Sequence, residues 1–475
     1  MISMNKEDIC FMPACEMVEK IKTQELTSVE ITETLIERIE KINPIINAYC
    51  TLTLELAREM AKKADDAVKK GEKLGSLNGI PISIKDLNLT KGIRTTFGSK
   101  IHENFIPDED GVVVKRLKNA GCVILGKTNT PEFGFVGRTS NLIFGTTKNP
   151  WNLERTSGGS SGGAAAGEAA GLSILAQGSD GGGSIRSPSA FNGLYGIKCS
   201  YGRVPNYPKA RIAGDTLAQI GPIVRNVSDA ALMLDVMKGP HEGDRYSLPK
   251  EDINYLDHVD EKPKKLKIGY TLDLGVMKAV DPEVEKAVVN SVKKFESLDW
   301  EVDEIKVKRK NIEMSYMTIW TSLFAFDLKP KLAEWEEKMD PDLVSAIKAG
   351  AGYSGQGVIK AMNIRRQYYD IIYHIFEDVD IIVTPTVACT AFELGKNNPD
   401  KIGGKPVSPA SWTLPTFVFN MTGHPAASIP CGWSSIGLPI GMQIVGKRFN
   451  DLKVLQVSKA FEEISPWQDK RPKFD

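Results

Sequence analysis

The chain runs to 475 residues, with 60 basic and 60 acidic side chains, a formal net charge of zero and 41% hydrophobic residues. Such a balance leaves no bulk field to draw nucleic acid or an anionic membrane, while the apolar content is ample for a large core. No apolar run approaches the roughly 18 residues that a bilayer span requires.

In chain order, the opening MISMNKEDICFMPACEMVEK has no continuous apolar h-region, so no secretory signal is expected. Thr27 and Glu30 form a capping box, and Ile31, Leu35, Ile39 and Ile42 follow on one face, which predicts a helix. A second helix is expected near 54–70, ending at Gly71. Residues 79–84 read as a strand with Lys85 at its end, followed by a helix over 110–119 and a strand over 122–126. The stretch GCVILGKT (121–128) satisfies the Walker A pattern, yet its middle residues are those of a buried strand, not of a phosphate-cradling loop. Lys127 is then expected at a site wall or on the surface. GGAAAGEAAGLSIL (162–175) predicts a tightly packed helix with Ser160 and Ser161 at its N-terminus, where the dipole favours negative charge.

From 245 to 265 the chain turns polar, as a surface excursion would. Strand 266–270, helix 282–297 and strand 381–385 follow, with the aromatic- and Met-rich MSYMTIWTSLFAF at 314–326 between the last two. Ala426–Cys431 and Pro439–Val445 read as paired strands joined by a turn at Ser434–Gly437. The order implies a mixed α/β chain without a flexible linker. Seven cysteines scattered from Cys10 to Cys431 lack C-x-x-C spacing, which suggests free thiols in a reducing compartment. No H-E-x-x-H pattern occurs, so neither a metal nor another cofactor is expected.

Chemistry concentrates in GSDGGGSIRSPSAFNG (178–193), where Ser184 directly follows three glycines and precedes Arg186 by two residues. Glycines leave backbone N–H groups uncovered, and several pointing one way make a pocket for negative charge. A serine at its edge can attack a carbonyl while the pocket holds the oxyanion. A flexible loop with an incidental serine would account for this stretch alone. A second cluster, TSGGSSGG (156–163), satisfies the G-x-S-x-G pattern, but that elbow must follow a strand and KNPWNLERTS (148–157) is polar and turn-forming. Of five histidines only His424 lies in a glycine-flanked motif, which also disfavours a Ser–His relay.

These two clusters, with Lys85 in GIPISIKDL (79–87), resemble the amidase signature family, serine hydrolases that use Ser–cis-Ser–Lys in place of Ser–His–Asp. GKTNTPEFG (126–134), NPWN (149–152), YGRVP (201–205) and GHPAASIPCG (423–432) extend the likeness from about Leu26 to Pro472. The resemblance implies a mixed central β-sheet sandwiched between layers of helices, as one domain over 1–475: N-terminal helices to 75, a catalytic core over 76–205 and the remainder over 206–475. It implies Ser184 as nucleophile, Ser160 on a cis peptide as bridge and Lys85 as base, with the amides of Gly181, Gly182, Gly183 and Ser184 as oxyanion hole.

A lysine base must be neutral, and burial among Ile80, Ile82, Ile84, Leu87 and Leu89 would lower its pKa. Ser184 would then attack an amide carbonyl, Lys85 would protonate the leaving nitrogen through Ser160, and water would release the acyl group. Asp180 and Arg186 are expected to pair and brace the loop; Ser161 either bonds near the cis serine or caps the following helix. Trp320 is the candidate for a substrate-pocket wall. Two positions depart from the common pattern: Gly181 replaces a larger residue, making the anion pocket floppier, and Cys199-Ser200 replaces Pro-Thr.

Two activities fit the family resemblance. One is a free-standing cytoplasmic hydrolase of small aliphatic, aryl or oligomeric amides, which leaves a homodimer open. The other is the glutaminase component of a tRNA-dependent amidotransferase, passing ammonia to a partner protein. PWQDKRP and FNMTGHPAASIPCG look more like free-standing members, cyclic oligoamide hydrolases included. The expected partner is a small-molecule amide, with no direct nucleic-acid or membrane contact.

Overall fold

In the computed structural model, which describes residues 5–208 and 216–474, an eleven-stranded sheet organises the chain. Its strands are β1 (Tyr49–Leu52), β2 (Pro81–Lys85), β3 (Val123–Thr128), β4 (Leu175–Asp180), β5 (Tyr195–Lys198) and β6 (Gln219–Val224). They continue with β7 (Lys267–Tyr270), β8 (Glu301–Glu304), β9 (Ile381–Pro385), β10 (Ala426–Trp433) and β11 (Pro439–Gly446). The spatial order is β1-β3-β2-β4-β6-β5-β10-β11-β9-β7-β8. β3-β2-β4 and β9-β7-β8 are parallel runs, and the remaining neighbours are antiparallel.

Alternation along the strands divides the core into two layers, because successive side chains point to opposite faces. Ile381, Val383, Ala427, Ile429, Met442 and Ile444 join one cluster with Ile31, Leu35, Ile39 and Ile42. Their neighbours Ile382, Ala426 and Val445 join another, with Phe324, Ile347, Tyr368 and Val418. The first layer carries helix Ser28–Ile46, whose N-terminus Thr27 caps by accepting from the Glu30 N–H; the second carries helices Glu313–Leu328, Pro341–Ala351, Gly355–Asp378 and Leu414–Thr422. The expected mixed α/β sandwich is therefore the observed one. Among the described residues no helix is long and apolar enough to cross a membrane.

Several boundaries differ from expectation for physical reasons. The helix expected over 162–175 spans only Gly162–Ala169, because Gly171 takes a left-handed φ of 69° and the chain enters β4 at Leu175. The helix expected at 282–297 closes at Val292 and tightens into a 3₁₀ turn over Lys293–Leu298. KNPWNLERTS does contain a strand, Asn152–Thr156, but it pairs with Lys148–Asn149 in a small ribbon outside the main sheet. The excursion over 245–265 is anchored by buried Tyr255 and Val259.

Lys127 corrects an expectation outright. It lies in β3, wholly buried, and its Nζ donates to Asn88 O, to Thr90 Oγ1 at 2.8 Å and to Thr95 Oγ1 at 3.0 Å. It is neither a surface residue nor a cavity wall; it ties down the loop that follows β2.

Candidate active site

Because β2 runs parallel to both β3 and β4, the carboxyl ends of all three strands meet at one edge of the sheet. In open α/β sheets that edge is where ligands bind. Lys85 ends β2 and Asp180 ends β4, and the register Ile84↔Gln177 leaves Ser179 within reach of the Lys85 side chain. The loop into helix Gly162–Ala169 adds Ser160 and Ser161, and the Gly159–Ser160 peptide bond is cis.

Lys85 Nζ sits 2.8 Å from Ser160 Oγ, 2.8 Å from Ser161 Oγ and 3.0 Å from Ser179 Oγ. Proton counting orients this cluster. Ser161 Oγ donates to Ser179 O at 3.1 Å and accepts from Ser179 N at 3.3 Å, so toward Lys85 it can only accept. Its hydroxyl makes no capping bond to the helix it precedes. A neutral amine has two protons and one lone pair. An amine that donates to Ser161 and Ser179 keeps its lone pair for the Ser160 hydroxyl.

Burial pushes the Lys85 amine well below its ordinary range, against an opposing pull from the Asp180 carboxylate. Asp180 is itself sealed from solvent with Arg186, both fully buried. Burial would raise that carboxyl, but the Arg186 guanidinium, with Lys198 and Asn420 adding to it, holds it well below the usual carboxylate range. Its Oδ1 accepts from Arg186 Nη2 at 2.9 Å, Gly183 N at 2.7 Å and Asn420 Nδ2 at 2.8 Å. Its Oδ2 accepts from Arg186 Nε at 2.9 Å and Ile185 N at 3.1 Å. The remaining arms of Arg186 reach Gln443 Oε1 at 2.6 Å and Asn420 Oδ1 at 2.5 Å.

The glycine loop closes over this pair, and one expectation changes there. The Gly183 N–H is spent on Asp180, so it is not free to hold an oxyanion. The N–H groups of Gly181, Gly182 and Ser184 donate to no described residue. The loop is also less floppy than its glycines suggest. Tyr316 Oη donates to Gly181 O at 3.1 Å and Thr416 Oγ1 lies 2.8 Å from Gly182 O. The missing side chain at 181 is replaced by an indole: a Cβ there would come within 2.8 Å of Trp320 Cη2. The second departure is also accommodated, since Ser200 N donates to Asp451 and Ser200 Oγ accepts from Phe449 N.

Ser184 is half-buried, and its hydroxyl has no hydrogen-bond partner among the described residues. With Ser160, Ser179 and Gly181 it lines a cavity of about 700 Å³. Leu87, Leu89, Phe97, Phe133, Trp320 and Leu323 supply apolar walls, and no lysine or arginine is among the described lining residues. Trp320 is fixed by its Nε1, which donates to Phe135 O at 3.1 Å. Among the described residues no cluster of three or more His, Cys, Asp or Glu side chains could hold a metal ion.

Sequence reasoning missed Ser179, Tyr316, Thr416, Asn420 and Gln443. Ser179 carried a signal: it stands two residues after Gln177 on one strand face, next to Asp180. Tyr316 lies one turn before Trp320, and the two rings stack 5.8 Å apart, so a helical reading of 314–326 places them together. The other three come from distant elements and left no local trace.

A family model described as Amidase matches residues 30–455. The chain is 37% identical over 491 aligned residues to the A subunit of the glutamyl-tRNA(Gln) amidotransferase of Carboxydothermus hydrogenoformans, covering 98% of this chain and 100% of that relative. It is 36% identical over 477 residues to an acylamidase of Rhodococcus erythropolis, covering 99% and 98%. The crystal structure of a bacterial aryl acylamidase of the amidase signature enzymes superposes with a TM-score of 0.90 at 31% identity, covering 96% of this chain and 97% of that one.

Proposed function

This chain belongs to the amidase signature family of amide hydrolases, and from that premise we propose that Lys85, Ser160 and Ser184 form its catalytic relay. Ser184 Oγ attacks the amide carbonyl carbon. Its proton passes to Ser160 Oγ as the Ser160 proton moves to the lone pair of Lys85. The carbonyl oxygen becomes an oxyanion held by the N–H groups of Gly181, Gly182 and Ser184; a donor in such a hole typically contributes about 3–4 kcal/mol. The ammonium then returns a proton through Ser160 to the departing nitrogen, the C–N bond breaks, and an acyl ester remains on Ser184. Water attacks that ester by the same route, releasing the carboxylic acid and restoring the hydroxyl.

The observation that carries this reading is the fully buried Lys85 amine at 2.8 Å from Ser160 Oγ, with Ser161 Oγ and Ser179 Oγ also within hydrogen-bond distance. The Ser184 link closes when substrate enters, as catalytic hydrogen bonds that are long in the free enzyme commonly do.

The substrate in this reading is an amide with an apolar acyl group, hydrolysed by the free-standing chain. Glutamine carries an α-carboxylate, and the described walls offer it neither a lysine nor an arginine. One observation favours the glutaminase reading instead, the 37% identity to an amidotransferase component along that relative's whole length. Assay of the purified chain alone separates the two. Turnover of anilides, aliphatic amides or oligoamides without turnover of glutamine supports the free-standing hydrolase. Glutamine hydrolysis that appears only with partner proteins supports the other. Full activity in Ser184→Ala overturns the relay in either case.

A further inference from the structure

We propose that Tyr316 is a positioning residue that aims the Gly182 N–H at the oxyanion from behind the loop. The inference rests on the relay described above, and it concerns a residue that lies outside the cavity. The Tyr316 phenol is buried, and its hydroxyl donates to Gly181 O at 3.1 Å. The Gly181–Gly182 peptide is trans. In a planar trans peptide the carbonyl and the following N–H point in opposite directions. Fixing the Gly181 carbonyl on Tyr316 therefore turns the Gly182 N–H away from helix Glu313–Leu328, and that N–H has no partner among the described residues.

The next peptide shows the same device put to another use. Thr416 Oγ1 holds Gly182 O, and the Gly183 N–H on the far side of that plane goes to Asp180. Two successive peptide planes are thus each pinned at the carbonyl by a hydroxyl from the layer of helices. One of the two N–H groups is consumed in structure, and the other is left open.

The phenol is well placed to act as a fixed anchor. Its ring stacks on Phe417 at 3.8 Å between centroids and on Trp320 at 5.8 Å. The fit also explains Gly182: a Cβ at this position would lie 2.1 Å from Tyr316 Oη. Without the hydroxyl, the 181–182 peptide is free to rotate, and the N–H spends part of its time misdirected. Such a loss is felt in the transition state, where the oxygen is charged, and hardly in the ground state.

Tyr316→Phe keeps the ring and removes only the hydroxyl. The expected result is a fall in kcat of about 10- to 100-fold with KM within twofold, a fraction of the effect of deleting an oxyanion donor. Affinity for an aldehyde or boronate that forms a tetrahedral adduct should weaken by the same factor, and affinity for the product acid should not. An unchanged kcat, or an equal weakening of adduct and product, overturns the inference. Should Tyr316→Phe fail to fold, Phe417→Leu unseats the phenol without touching its hydroxyl, and kcat must again fall at constant KM. Labelling of Ser184 in the native chain by a fluorophosphonate keeps the two levels apart. Absence of labelling defeats the relay itself, whereas labelling with an unaltered Tyr316→Phe enzyme defeats only the role of Tyr316.

Discussion

Replacing Asp180 with Asn removes one charge from a pair that is sealed from solvent on both sides. The carboxylate accepts six hydrogen bonds, from Gly183 N, Ile185 N, Arg186 N, Arg186 Nε, Arg186 Nη2 and Asn420 Nδ2. Asn offers one oxygen and presents an NH₂ group to the donors on its other side, so three N–H groups lose an acceptor whichever way it is turned. The guanidinium is then a buried charge with no carboxylate to answer it, facing only neutral amide oxygens, those of Gln443 and Asn420 and the one the new side chain retains. Breaking a buried pair from one side costs about 3–5 kcal/mol. At roughly 2.1 cal/mol/K per residue, unfolding this chain carries an entropy near 1 kcal/mol/K, so Tm should fall by about 3–5 °C. Differential scanning calorimetry reads the shift directly, and kcat should drop with it because the Gly183 and Ile185 amides lose their anchor. Adding Arg186→Met should recover part of the stability but not the rate, since the stranded charge is gone while the loop remains unanchored. A Tm within 1 °C of native for the single variant would refute the reasoning.

Three further outcomes follow from other groups. Lys85 must be neutral to act, so kcat/KM should rise with pH through its lowered pKa and flatten above it; Lys85→Met should be inactive, and a flat acid limb in the native enzyme would exclude a lysine base. Glu132 is pushed by burial to about 7 from an ordinary 4.5. The folded state therefore binds the extra proton between those values, and the associated stability, about 3 kcal/mol, is present below pH 4.5 and lost as pH rises through 7. Glu132→Gln, which keeps an acceptor for Asp340 N, should gain on the native protein by that amount between pH 4.5 and 8 in urea titrations. Trp320→Ala should cost about 3–5 kcal/mol for the lost indole. It should also raise kcat/KM for branched acyl groups relative to straight ones and make Gly181→Ala tolerable, as measured by substrate competition; an unchanged ratio would remove Trp320 from the pocket wall.

What could be read from the chain was local, and what could not was tertiary. The strand ending at Lys85 and the glycine–serine loops rest on short-range pattern, and these elements lie where the pattern puts them. The helix from 162 was overextended because its alanines favour helix while the stop, a left-handed Gly171, is one more glycine among many. The fate of the Gly183 N–H was within reach, since an Asp ahead of a turn commonly folds back onto following amides. Lys127 was not, because nothing in VILGKT says that both faces of β3 are covered. The hydroxyls and amides that discipline the loop come from 135 to 257 residues away in the chain, so no window of sequence holds both partners.

The buried ion pair and the lowered pKa of Lys85 are linked. An unpaired carboxylate at Asp180 would stabilise ammonium at Lys85 and oppose the effect of burial. Arg186 prevents this by answering the charge within 2.9 Å, so that Lys85 meets a pair and not a lone anion. Desolvation then prevails at Lys85, while ion pairing prevails at Asp180. Two groups at the ends of neighbouring strands, under the same exclusion of water, are thereby shifted differently: the charged form is disfavoured at Lys85 and favoured at Asp180. Arginine suits this task better than lysine would, because its planar fork binds both carboxylate oxygens and still reaches Gln443 and Asn420. In the proposed relay, the residue two places after Ser184 would thus act electrostatically, through the carboxylate, without touching the reacting atoms.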